Sequence, residues 1–144
     1  MFITILLAAP HSGLVCRLIN RLNDFHRRVE EMGKRVLLAD DDKDLQFLTE
    51  MALSDAGYEV VTVANGREVL QQARSASFDI ILMDAEMPLM NGFEAYRELC
   101  SDPATSKIPV VFITASQPNQ DVNFILKPFD ADILPALIEK FIKT

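Results

Sequence analysis

Five short apolar runs alternate along this chain with stretches apolar at helical spacing, and that alternation admits few folds. The runs are RVLLA (Arg35–Ala39), YEVVTV (Tyr58–Val63), DIILM (Asp79–Met83), PVVFIT (Pro109–Thr114) and NFIL (Asn123–Leu126). Each is too short for a helix, and runs of this kind read as strands buried on both faces. Between the first two, Leu45, Leu48, Ala52 and Ala56 recur at helical spacing, and Gly57 stands where a helix would end. Asn65 with Glu68 three positions on has the form of a capping box, opening a helix through Val69, Leu70 and Ala73. Phe93, Tyr96 and Leu99 mark a helix after Gly92, and Ile133, Leu134, Leu137, Ile138 and Phe141 mark the last. Strand–helix alternation with right-handed crossovers predicts an α/β fold, a doubly wound five-stranded parallel sheet.

One crossover is short. Twelve residues, 115–126, separate Thr114 from Lys127, and the last strand must come out of these. SQPNQ also contains Pro118, which disfavours a helix interior. The fourth helix of the sheet is therefore expected as a stub or a loop. Pro135 should shift the start of the last helix or bend it.

The N-terminal part differs in character. Residues 14–36 hold six bases against three acids, whereas 37–144 hold eight against eighteen. The break falls near Gly33, giving an extension (1–33) and a domain (34–144). Within the extension Val15, Leu18, Leu22, Phe25, Val29 and Met32 follow a 3–4 heptad spacing, predicting an amphipathic helix over 15–32. That seam suits packing on the domain, a homodimer or a partner helix. FITILLAAP at the start lacks the basic flank of a signal peptide. No run approaches the ~18 apolar residues of a membrane span. With Cys16 and Cys100 forming no metal-type or C-x-x-C pair, a cytoplasmic protein is expected. A net charge of -7 argues against direct nucleic-acid binding.

In a doubly wound sheet, ligands bind beyond the carboxyl ends of the strands. There the sequence puts Asp40, Asp41 and Asp42 after the first strand, Asp84 after the third, Thr114 at the fourth, and Lys127 with Pro128 after the fifth. Three carboxylates within ~5 Å of one another repel by roughly 3 kcal/mol per pair at an effective dielectric near 20. A hard dication relieves that repulsion, and an all-oxygen set suits Mg2+. A carboxylate there can attack phosphorus, with a lysine and a hydroxyl holding phosphoryl oxygens. Asp42 reads as a helix-start residue rather than a ligand.

LLADDD, DIILMDAEMPLMNG, VVFITAS and ILKPF resemble, in order, the motifs of the receiver domain of two-component response regulators, over about residues 34–144. The resemblance implies a flavodoxin-like receiver fold with Asp84 as phosphoacceptor and Mg2+ held by Asp40, Asp41, Asp84 and the backbone carbonyl of Glu86. It implies that Thr114 and Lys127 contact the phosphoryl group, that Thr114 and Phe124 act as switch residues, and that Lys127–Pro128 is cis. Asn91–Gly92 is read as a pair needing positive φ. The partner implied is a histidine kinase or phosphotransfer protein, and the chain would catalyse only its own phosphorylation and dephosphorylation.

The alternative is a receiver-like interaction module that no longer switches, suggested by the shortened fourth-helix segment. A phosphohydrolase built on Asp40 and Asp42 leaves Asp84 without a role.

Overall fold

The computed structural model describes residues 13–142, so the apolar segment at 2–9 lies outside it. The chain divides into two compact units between Glu30 and Glu31. The first consists, within the described residues, of helix α1 (Gly13–Glu31), which stands where the heptad spacing predicts. Its apolar stripe is open to solvent, with Leu18, Leu22 and Phe25 52%, 57% and 64% exposed.

The second unit runs β1 (Arg35–Ala39), α2 (Lys43–Asp55), β2 (Glu59–Val63), α3 (Gly66–Ser75), β3 (Ile80–Asp84), α4 (Gly92–Ser101), β4 (Val110–Thr114), β5 (Asn123–Leu126), a 3-10 turn (Ala131–Ile133) and α5 (Leu134–Glu139). The strands form one parallel sheet in the order β2-β1-β3-β4-β5. The central strands β3 and β4 are buried along their whole length, which is why their sequences are apolar up to the terminal Asp84 and Thr114. Leu37, Ile81 and Phe112 face α3 and α4, while Leu38, Leu82 and Ile113 face Leu53 of α2 and Leu134 and Ile138 of α5. Each such side chain contributes roughly 1.5–3 kcal/mol by leaving water.

Local signals in the sequence set the helix ends. Asp42 caps α2, its carboxylate accepting from the backbone N–H groups of Asp44 and Leu45. Asn65 caps α3 and accepts from Glu68 N–H at 3.0 Å. Gly57 takes a φ of +100° just past α2, open to glycine at little cost.

Four sequence expectations need correction. The buried row of α2 is Gln46, Thr49 and Leu53, not the row through Leu48, which is 56% exposed. The Asp42 cap fixes where the helix starts, and Gln46 then turns inward to bond the strand ends. Asn91–Gly92 carries no positive φ; Leu89 takes it at 66°, while Asn91 caps α4 by accepting from Glu94 N–H. The third strand starts and ends one residue later, so Asp84 is its last residue. The last helix is only six residues, with Pro135 in its first turn, and Ile133 falls in the preceding turn, exposed. Between β4 and β5, residues 115–122 form bends and no helix, as the twelve-residue spacing required.

Candidate functional site

The parallel register brings the carboxyl ends of β1, β3, β4 and β5 to one edge. Asp40 follows β1 directly and is 2% exposed. Its Oδ1 accepts from the Asp42 backbone N–H at 2.9 Å. Asp84 is 7% exposed, with Oδ1 accepting from the Glu86 N–H and Oδ2 from Lys127 Nζ, both at 3.0 Å. Lys127 Nζ also lies 3.6 Å from Asp40 Oδ2. Oxygens of Asp40, Asp41 and Asp84 lie within 4.8 Å of one another. A cleft of about 510 Å³ opens here, bordered by Asp41, Asp84, Glu86, Thr114, Ser116 and Lys127.

Burial is the main influence lifting the Asp40 carboxyl above its ordinary pKa, and the charges of Asp84 and Asp41 push the same way. The Asp42 N–H and Lys127 oppose that rise and lose. Burial pulls Lys127 down, but its hydrogen bond to Asp84 and the charges of Asp40 and Asp84 outweigh it, leaving Lys127 above the usual lysine value. Three carboxylates against one ammonium leave the pocket net negative. Oxygen-only donors around an electronegative cleft fit a hard divalent cation.

The other sequence-predicted residues are placed as follows. Lys127 is anchored by its backbone N–H, which donates to the Thr114 carbonyl at 2.7 Å, and its bond to Pro128 is cis. The Thr114 hydroxyl borders the cleft but donates to the Ser116 carbonyl at 3.0 Å. Glu86 is exposed, and its backbone N–H meets Asp84. Phe124 packs half-buried against the cluster around Phe112 rather than lining the cleft. Asp42 borders the cleft but its Oδ1 caps α2, accepting from the backbone N–H groups of Asp44 and Leu45.

Sequence reasoning missed Gln46. Its amide donates to the carbonyls of Asp40 at 3.1 Å and Val63 at 3.0 Å, pinning the ends of β1 and β2 together. The available signal was its place four residues after the cap Asp42, on the row of Thr49 and Leu53. Ser116 carried no signal, because only its backbone carbonyl and N–H are used, both toward the Thr114 hydroxyl.

A family model described as the response regulator receiver domain matches residues 36–139. The chain belongs to that family. Among curated relatives, this receiver chain is 33% identical over 120 residues to chemotaxis protein CheY of Thermotoga maritima, covering 78% of this chain and 100% of that protein. It is 34% identical over 120 residues to probable transcriptional regulator ycf29 of Pyropia yezoensis, covering 77% of this chain and 54% of that protein. The receiver thus spans about half the length of that regulator. The solved receiver domain of sensor histidine kinase PA1611 of Pseudomonas aeruginosa superposes with a TM-score of 0.72 at 27% identity, covering 78% of this chain and 99% of that one. That structure has a magnesium ion coordinated in its active site cleft.

Proposed function

We propose that this chain is a phosphorylation-dependent signalling switch of a two-component phosphorelay, with Asp84 as the acceptor. The observation that carries the reading is the meeting, within one cleft, of the Asp40, Asp41 and Asp84 carboxylates with the Lys127 ammonium. Asp40, Asp41 and Asp84, with the Glu86 backbone carbonyl, would hold Mg2+, whose charge would neutralise both the acids and the incoming phosphoryl oxygens. An Asp84 carboxylate oxygen attacks the phosphorus of a donor phosphohistidine. The new P–O bond forms as the P–N bond breaks, and the electron pair leaves with the imidazole nitrogen. Lys127 releases part of its hold on Asp84 and meets a phosphoryl oxygen. Thr114 turns its hydroxyl from Ser116 to another, and Phe124 moves with it. Hydrolysis of the acyl phosphate later restores the carboxylate.

Phe47, Leu48 and Met51 lie exposed on α2, the helix that starts at the acidic end of the site. That apolar patch supports docking of a histidine kinase or phosphotransfer protein. The chain turns over no external substrate in this reading and works in the cytoplasm; no described helix is long and apolar enough to cross a membrane. The α1 stripe serves a homodimer or a partner helix.

Intact-mass spectra after incubation with a small phosphodonor test the reading. One added phosphoryl group in Mg2+, and none in chelator or in Asp84→Asn, is the expected result; no adduct on the unsubstituted chain would overturn it. The helix-free 115–122 segment favours a second reading, a receiver-like module that binds partners without switching. Amide NMR shifts spreading from Asp84 to Phe124 and that segment on adding a phosphate mimic would count against it.

A further inference from the structure

The missing crossover helix leaves part of the sheet uncovered. α3 and α4 pack on the face that holds Phe112, but no element of residues 115–122 covers the edge strand β5. On that side Val122 and Phe124 are half-buried, and by strand alternation Leu126 joins them, 48% exposed. Tyr96 of α4 forms the near wall, its ring 5.4 Å from that of Phe112. Asp121 stands on the rim of the cleft between α4 and β5.

Elsewhere in the same chain α1 presents a complementary surface. Leu18, Leu22 and Phe25 form its stripe. Arg17 and Arg21, four residues apart and both exposed, make a basic row along one flank. With Val15, Leu22 and Val29 as a positions, the g positions are Leu14, Arg21 and Arg28, and the e positions are Ile19, His26 and Gly33. No acid flanks the seam. Two α1 helices zipped together would set Arg21 against His26 when parallel, or against arginine when antiparallel, with no ion pair to fix them. An anionic lipid surface would attract α1 but repel residues 37–144, eighteen acids against eight bases. Lys107 lines the same cleft as Asp121, so the charge the arginines lack comes from the acidic excess of residues 37–144 as a whole.

We propose that α1 of one copy docks its apolar stripe on the uncovered β5–α4 surface of a second copy, each copy lending its helix to the other. The helix then takes the place of the crossover helix the chain lacks. This stands independently of the phosphoryl chemistry.

Light scattering on the full chain, with variants in each half of the contact, tests it. The unsubstituted chain should reach twice 16.2 kDa at micromolar concentration, less readily as salt rises. Leu22→Glu on α1, and separately Leu126→Glu on β5, should each weaken association about tenfold or more. Tyr96→Lys, on a different element, repeats the second arm should Leu126→Glu disturb the strand. Mixing Leu22→Glu with Leu126→Glu should restore a one-to-one dimer, because one intact helix then meets one intact surface. A Leu126→Glu and a Tyr96→Lys that both dimerise like the unsubstituted chain would mean a simple α1 zipper and overturn the proposal. So would a 16.2 kDa mass at every concentration, with or without binding to phosphatidylserine vesicles.

Discussion

Replacing Gly92 with alanine separates two physical arguments that predict opposite signs. Gly92 is the first residue of α4, and helix propensity alone favours alanine there by up to about 1 kcal/mol. Sterics opposes it. A Cβ on Gly92 would lie 2.3 Å from the Asp84 carbonyl oxygen and 3.1 Å from Ala85 Cα. Both obstacles are backbone, so no side-chain rotation relieves the overlap. Gly92 N–H also donates to the Ala85 carbonyl at 3.0 Å, tying the helix start to the end of β3. Overpacking of this kind costs about 1–3 kcal/mol, and the remaining propensity gain is smaller. A net loss of about 2 kcal/mol lowers Tm by roughly 5 °C in a chain this size. Thermal denaturation of Gly92→Ala checks it, with Gly13→Ala as control, since nothing lies within 4 Å of a Cβ there. The displaced backbone carries Asp84, so phosphoryl uptake should slow in the same variant. A Tm equal to or above that of the unsubstituted chain would show that the approach of α4 to β3 is not as close as described.

Burial holds the Asp40 carboxyl above the ordinary aspartate range, so its stabilising share is present below that range and is lost as pH rises through the folded pKa. Asp40→Asn should therefore raise the Tm of metal-free protein at neutral pH, make no difference in acid, and remove most of the stabilisation given by Mg2+. Lys127→Met removes the only ammonium bonded to Asp84 among the described residues, so calorimetry should find Mg2+ binding roughly tenfold tighter while the metal-free protein melts earlier. Thr105 is 1% exposed and its hydroxyl donates to the Leu99 carbonyl at 2.8 Å. Thr105→Val should cost about 1–2 kcal/mol in urea denaturation by leaving that carbonyl unpaired.

Much of this architecture was legible because its causes are local. The apolar runs placed all five strands to within a residue or so, since strands buried on both faces cannot carry polar positions. Asp42, Asn65 and Gly57 marked helix ends through side-chain and backbone chemistry that needs no tertiary context. The strand-end rule then gathered Asp40, Asp41, Asp84, Thr114 and Lys127 from four separate segments, and the fold brings them to one cleft. What failed were questions of rotation and close approach. Which row of α2 turns inward depends on Gln46 reaching two carbonyls on different strands, and Leu48 is left outside. Asn91–Gly92 resembles a positive-φ turn pair, yet the glycine is needed because α4 begins against the backbone of β3, a distance no local pattern encodes.

The central claim is that a phosphoryl group is carried as an acyl phosphate on the last residue of β3. Hydroxylamine cleaves such a bond and leaves a hydroxamate on the carboxyl that bore the phosphorus. After phosphorylation in Mg2+, hydroxylamine treatment and digestion, tandem mass spectrometry should find that mark on Asp84. A mark on any other carboxylate, or a phosphate that survives hydroxylamine, would contradict the account.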